Sequence, residues 1–168
     1  GLTAALAGEF RLGYAERSGA LARLLQKQGF PAEAMEVSSL VKRREDGSWY
    51  DAFRGRLMFP ICNESGKVIG FGGRAMQDGD EPKYLNSSGT AIYQKSAVLY
   101  NLHRAREGAR RTGRVVLVEG YMDVIGAYAA GVPEAVAPCG TALTAQQVRA
   151  LRRLAGMAVV NFDPDAAG

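Results

Sequence analysis

The sequence predicts an α/β protein in two parts. Residues 1–105 read as a mixed α+β segment built on antiparallel hairpins, and residues 106–168 as a parallel βαβαβ sheet that the end of the chain cuts short. Three observations lead there. Two turn signals, Asp46-Gly47 and Ser65-Gly66, each sit between strand-like runs, which is the pattern of a hairpin. After residue 105, short apolar runs alternate with helix-period segments. The joints between them are short, and strand-helix-strand units so connected form a parallel sheet with right-handed crossovers.

Taken in order, Ser18 precedes ALARLLQKQ and Gly29 follows it, the signature of a capped helix, and Pro31 opens a second short helix. VKRREDGSWYDAF and RLMFPICNESGKVIGF then supply the two hairpins. Gly70, Gly72 and Gly73 do not spell a dinucleotide fingerprint, because no strand-to-helix phosphate turn surrounds them; they point to a hairpin bend or a close approach of backbone. Residues 78–96 are polar and turn-rich and are expected on the surface. NLHRAREGARRTG reads as a helix, RVVLVEG as a strand buried on both faces, MDVIGAYAAG as a helix closed by Gly131, and PEAVAPCG as a strand. TAQQVRALRRLAG reads as a helix begun by Thr144, and MAVVNFD as a third buried strand.

The 168 residues suffice for one ordinary domain or two small ones, and a net charge of +4 permits a polyanionic partner without requiring one. Cys62 and Cys139 stand far apart without metal spacing, which predicts buried, reduced thiols in a cytoplasmic protein. The sequence has no apolar stretch of membrane length and no signal-peptide pattern, so no membrane partner is expected; its start at Gly1 reads as an excised segment. His103, the only histidine, has no nearby nucleophile pattern and is expected to be structural. Trp49 and Tyr50 are expected to pack a hairpin face, with stacking on nucleic acid the lesser alternative.

Ligands of parallel sheets bind beyond the carboxyl ends of the strands. There Glu119 ends the first strand and Asp163 and Asp165 end the third, while Asp123 falls in the first turn of the intervening helix and the GTALT loop opens on the same side. Clustered carboxylates repel unless a cation neutralises them. A hard divalent ion, magnesium with manganese as the alternative, answers that need and favours phosphoryl chemistry. Taken singly, each acid also reads as a turn former or helix cap. Upstream, Arg54, Arg56, Arg74, Lys83 and Lys95, with Tyr84 among them, form a basic strip suited to phosphates and base stacking. Glu64, Asp78, Asp80 and Glu81 share that span, so a solvated surface of mixed charge is an equal reading.

VVLVEGYMDV together with VVNFDPDAAG resembles the paired signature of the TOPRIM domain, and FRGRLMFPI, VIGFGGR and PKYLNS before them resemble bacterial replicative primases of the DnaG type. The resemblance implies a TOPRIM-type sheet in the second part and the RNA polymerase core of a primase, which makes short RNA primers on single-stranded DNA from ribonucleoside triphosphates. It further implies that Glu119, Asp163 and Asp165 are catalytic and that, with Asp123, they hold metal. By the same resemblance Arg74, Lys83, Tyr84, Asn86 and Lys95 hold nucleotide or template, and Arg54 and Arg56 extend the strip. The family carries a further acidic pair and a helical subdomain beyond Asp165, so the fragment alone is expected to have weak or no polymerase activity. Zinc is expected only in an upstream module, and contacts with the replicative helicase and single-strand-binding protein only through regions outside this sequence. The alternatives are a non-catalytic module that grips single-stranded DNA, or another TOPRIM enzyme, a topoisomerase or nuclease.

Overall fold

The computed structural model describes residues 1–140 and 142–163. Its elements are α1 (Ala4–Glu9), β1 (Gly13–Ala15), α2 (Ala20–Lys27), α3 (Ala32–Val37), β2 (Val41–Arg43), β3 (Trp49–Asp51), β4 (Arg56–Cys62) and β5 (Val68–Ala75). There follow β6 (Tyr84–Asn86), β7 (Leu99–Tyr100), α4 (Leu102–Thr112), β8 (Arg114–Leu117), α5 (Tyr121–Ala129), β9 (Ala135–Pro138), α6 (Ala145–Arg152) and β10 (Met157–Val160). Both expected hairpins form, β2–β3 around Asp46-Gly47 and β4–β5 around Ser65-Gly66, with Gly47 and Gly66 in the left-handed region those turns require.

The first sheet has the order β1-β4-β5-β6 and is antiparallel throughout. The second has the order β10-β8-β9-β7; β10, β8 and β9 run parallel, and β7 joins the edge antiparallel to β9. That antiparallel edge strand is additional to the βαβαβ pattern, because two residues are too few to show a period. The division near residue 105 falls inside α4.

Period-two alternation sorts the second sheet's residues into two cores. Val115, Leu117 and Val136 point toward α4 and α6, where Leu102, Ala105, Ala150 and Leu151 complete one cluster. Val118, Ala137 and Cys139 point the other way, toward Tyr121, Val124 and Ile125 of α5. Phe59 and Ile61 of β4 enter this same cluster, so α5 lies between the two sheets and belongs to both. Phe59 stacks on Tyr121 at 4.9 Å, and Tyr100 meets Tyr121 edge-on at 4.7 Å. Such pairs contribute about 0.5–1.5 kcal/mol beyond area burial. Glu9 of α1 accepts from Arg104 at 3.0 Å and from Tyr128 at 2.6 Å, tying the first residues to α4 and α5.

The close approach expected at the glycines is present. A Cβ on Gly72 would lie 2.5 Å from the Tyr121 ring, one on Gly70 3.1 Å from Tyr93, and one on Gly73 2.9 Å from Phe53. Bare backbone on β5 is what allows aromatic rings to rest directly on the sheet.

Four expectations need correction. Ser18 does not cap α2: Gly19 is the N-cap residue, and Asp51 on β3 accepts from the main-chain N–H groups of Leu21 at 3.1 Å and Ala22 at 2.7 Å. A carboxylate from a distant strand thus replaces the local hydroxyl. The 78–96 segment is not all surface: Tyr84–Asn86 adds a strand to the sheet, and Ser87 and Tyr93 are buried. The third strand of the parallel sheet, β10, is exposed on all four residues, because none of them enters either core cluster, which the helices build over β8 and β9. Trp49 packs on Ala22, Met35 and Val41 as expected, but Tyr50 faces outward. Cys62 and Cys139 are buried and unpaired as expected, and Thr144 caps α6, accepting from Gln147 N–H at 3.2 Å.

Candidate active site at the strand ends

Parallel pairing brings the ends of β8 and β10 to one rim. Val160 pairs with Leu117, and Asn161 N–H donates to the Leu117 carbonyl at 2.9 Å, holding the chain against β8 beyond the strand's end. Val118 is buried and bonded to Val136, so Glu119 is the first residue to emerge into solvent. Its Oε1 accepts the main-chain N–H of Asp163 at 2.6 Å. Asp163 is likewise exposed, and Asp165 lies outside the described residues. Asp123 sits on the same turn but is engaged locally: its Oδ2 accepts the Gly120 N–H at 3.0 Å, capping α5. Among the described residues no group of three or more acids, histidines or cysteines gathers closely enough to hold a metal ion.

The end of β9 faces the basic strip. Asn86 donates through Nδ2 to the Cys139 carbonyl at 2.7 Å and accepts through Oδ1 from the Tyr121 hydroxyl at 2.5 Å. The Lys95 side chain runs beside Gly140, where an added Cβ would lie 3.9 Å from its Cδ. Lys95 is held there by α6, because buried Gln147 donates through Nε2 to the carbonyls of Lys95 at 3.1 Å and Val98 at 2.8 Å, and Thr144 Oγ1 donates to the Ser96 carbonyl at 2.5 Å. The helix that follows β9 thereby fixes the last lysine of the strip against the loop at the sheet's rim.

Arg74 and Tyr84 are partners across β5 and β6, with Lys83 exposed beside them. Tyr84 is 40% exposed and its ring lies 6.3 Å from that of Tyr121. Arg54 is exposed and stacks over Tyr50 at 5.5 Å. Arg56 differs: it is 6% exposed, and its guanidinium donates to the carbonyls of Gly73 at 3.3 Å, Glu81 at 3.3 Å and Pro82 at 2.8 Å. It braces the loop before β6 and does not sit on the exposed strip.

Residues 1–106 match the family model described as the N-terminal domain of the DNA primase catalytic core, and residues 113–168 match that of the Toprim domain. The chain belongs to the DNA primase catalytic-core family. It is 46% identical over 165 residues to the DNA primase of Synechococcus elongatus, covering 95% of this chain and 24% of that one. It is 42% identical over 170 residues to the DNA primase of Staphylococcus aureus, covering 100% of this chain and 28% of that one. The chain therefore spans about a quarter of the length of these curated relatives. Among solved structures, the RNA polymerase domain of Mycobacterium tuberculosis primase DnaG superposes with a TM-score of 0.91 at 37% identity, covering 99% of this chain and 57% of that one. A structure of the DnaG primase catalytic domain bound to ssDNA gives 0.86 at 35%, covering 99% and 52%.

For this member of the primase family the sequence reading assigned no role to Tyr121. Among the described residues its hydroxyl makes the one hydrogen bond from the turn after Glu119 to the strip, and burial pushes its pKa up. The only available signal was its place two residues after Glu119. No helix among the described residues is long and apolar enough to cross a membrane.

Proposed function

We propose that this chain carries the acidic rim and basic strip of a primase catalytic core, the complete core being a DNA-directed RNA polymerase that makes short RNA primers on single-stranded DNA from ribonucleoside triphosphates. One observation carries the reading: the Glu119 carboxylate accepts the main-chain N–H of Asp163, so acidic motifs 44 residues apart meet at one sheet edge. A rim of this kind, beside a strip of exposed cations, is suited to binding a triphosphate through both a metal and basic side chains.

Glu119, Asp163 and Asp165 would hold a divalent ion, magnesium or, as the alternative, manganese. The donors are carboxylate oxygens alone, which suits a hard cation. Such an ion would offset charge on the attacking and departing oxygens of the α-phosphate. Asp123, occupied with capping α5, would contribute its negative charge from the edge of the site. Arg74, Lys83 and Lys95 would grip phosphates of triphosphate or template, Tyr84 would offer a face to a base, and Arg54 would extend the path. Arg56 and Asn86 would act by positioning: the first braces the loop that carries Lys83, and the second ties the strip to the rim. Contacts with replicative helicase and single-strand-binding protein would belong to parts of the relatives that this chain does not span.

The test is primer synthesis by the full-length polypeptide on a single-stranded template with ribonucleotides and magnesium. Asp163→Asn and Glu119→Gln should each lower synthesis by about a hundredfold or more while template binding persists. Unchanged synthesis in both variants would reject the reading, and cleavage of the template in place of extension would indicate nuclease or topoisomerase chemistry.

A further inference from the structure

The β2–β3 hairpin carries a cationic surface that neither the acidic rim nor most of the basic strip uses. Its register places Val41 opposite Asp51 and Arg43 opposite Trp49. Val41 and Asp51 are buried, so that face belongs to the core with α2 and α3. The intervening pair, Lys42 opposite Tyr50, therefore points outward. On this outer face the Arg44 guanidinium lies 4.8 Å from the centre of the Tyr50 ring and the Arg54 guanidinium 5.5 Å from it. Lys42, Arg44 and Arg54 are exposed, and among the described residues no carboxylate lies within salt-bridge distance of them; Glu36 pairs with Arg43 instead, at 3.7 Å. Cation–π attraction at exposed sites is weak, so two guanidiniums over one ring, with Lys42 on the neighbouring strand, leave a net positive field for an external anion.

A groove of about 440 Å³ connects this face with the strip. One wall carries Ser39 and Lys42, the other Ser88, Gly89 and Thr90, with Glu36 also on its lining. Ser88 lies two residues beyond Asn86, the end of β6, so the groove begins where the strip's edge strand stops. Val37, Val41 and Ala91 complete the lining, so hydroxyls, a bare glycine and a lysine stand beside apolar surface, a mixture that can meet both the phosphates and the base faces of a single strand.

We propose that single-stranded nucleic acid held by the basic strip continues through this groove onto the outer face of β2–β3. Lys42, Arg44 and Arg54 take its phosphates, and the Arg44–Tyr50–Arg54 stack is the platform for a base. The inference rests on the reading above that the chain grips a single strand, and it adds a second, separate segment to the strand's path.

The experiment measures binding of two oligothymidylates, of about 6 and about 20 nucleotides, to the full-length polypeptide and to its Lys42→Gln/Arg44→Gln variant across a salt series. Both positions are exposed surface residues, and the thermal unfolding midpoint checks that the fold is kept. The variant should bind the long strand about tenfold more weakly, with a salt slope shallower by about 1.4, and bind the short strand as the parent does. Equal long-strand affinity in parent and variant overturns the proposal, as does an equal loss for both lengths, which would place these residues at the strip itself. Primer synthesis by the parent is measured alongside: a parent that makes primers while the variant shows no length-dependent loss overturns this inference alone. A parent that binds neither oligonucleotide overturns both readings.

Discussion

The Tyr121 hydroxyl donates to Asn86 Oδ1 at 2.5 Å, and through that bond the turn carrying Glu119 is linked to the edge strand carrying Tyr84. Asn86 also reaches the Cys139 carbonyl, so one half-buried amide joins the first sheet to the ends of two segments of the second. Removing it by Asn86→Ala leaves a buried hydroxyl and a carbonyl without their partner. Unfolding in urea should show a loss of about 1–3 kcal/mol, and primer synthesis should fall further than stability accounts for, because strip and rim lose their mutual alignment.

Gly72 lies under the same ring. In Gly72→Ala the new methyl group would stand 2.5 Å from Tyr121, and the ring is locked between Phe59 and Tyr100. The expected cost is about 3 kcal/mol. Gly126→Ala, where nothing lies within 4 Å of an added Cβ, is the control and should be neutral or slightly stabilising in the same denaturation measurement.

Asp51 caps α2 from across the hairpin. Asp51→Ala should destabilise the chain by about 1–2 kcal/mol, and hydrogen exchange should quicken first at the amides of Leu21 and Ala22. Ser18→Ala should leave both measurements unchanged, since the Ser18 hydroxyl bonds Glu16, and the bond its main-chain carbonyl accepts from Arg23 of α2 is kept in the variant.

His103 has its pKa lowered from 6.5, first by burial and then by Arg104 and Arg11. The unfolded chain therefore binds a proton at a higher pH than the folded one does. Stability tied to the neutral ring is present above the unfolded value of about 6.5 and is lost as pH falls from there toward the depressed folded value. Urea titrations from pH 7.5 downward should show that loss, and His103→Gln should flatten this part of the curve.

Burial pushes the Cys139 thiol up to about 12. Iodoacetamide at pH 8 should leave it unmodified in the folded protein and label it only after denaturant is added, as read by mass spectrometry.

The sequence by itself determined the meeting of Glu119 and Asp163, because parallel strands joined by helices all end at one edge, and a periodic pattern is enough to identify such strands. It likewise determined both hairpins, whose turns depend on two or three adjacent residues, and the Thr144 cap, whose partner is three positions away. Tertiary structure alone decided that Asp51 rather than Ser18 caps α2, that Arg56 is enclosed by carbonyls while Arg54 faces solvent, and that Tyr121 reaches Asn86. Each of these depends on groups between 17 and 35 residues apart. Local pattern records which residues are apolar and where the chain turns; which donor meets which acceptor is settled only when separate segments pack, β3 against α2, the loop before β6 against β4, and α5 between the two sheets.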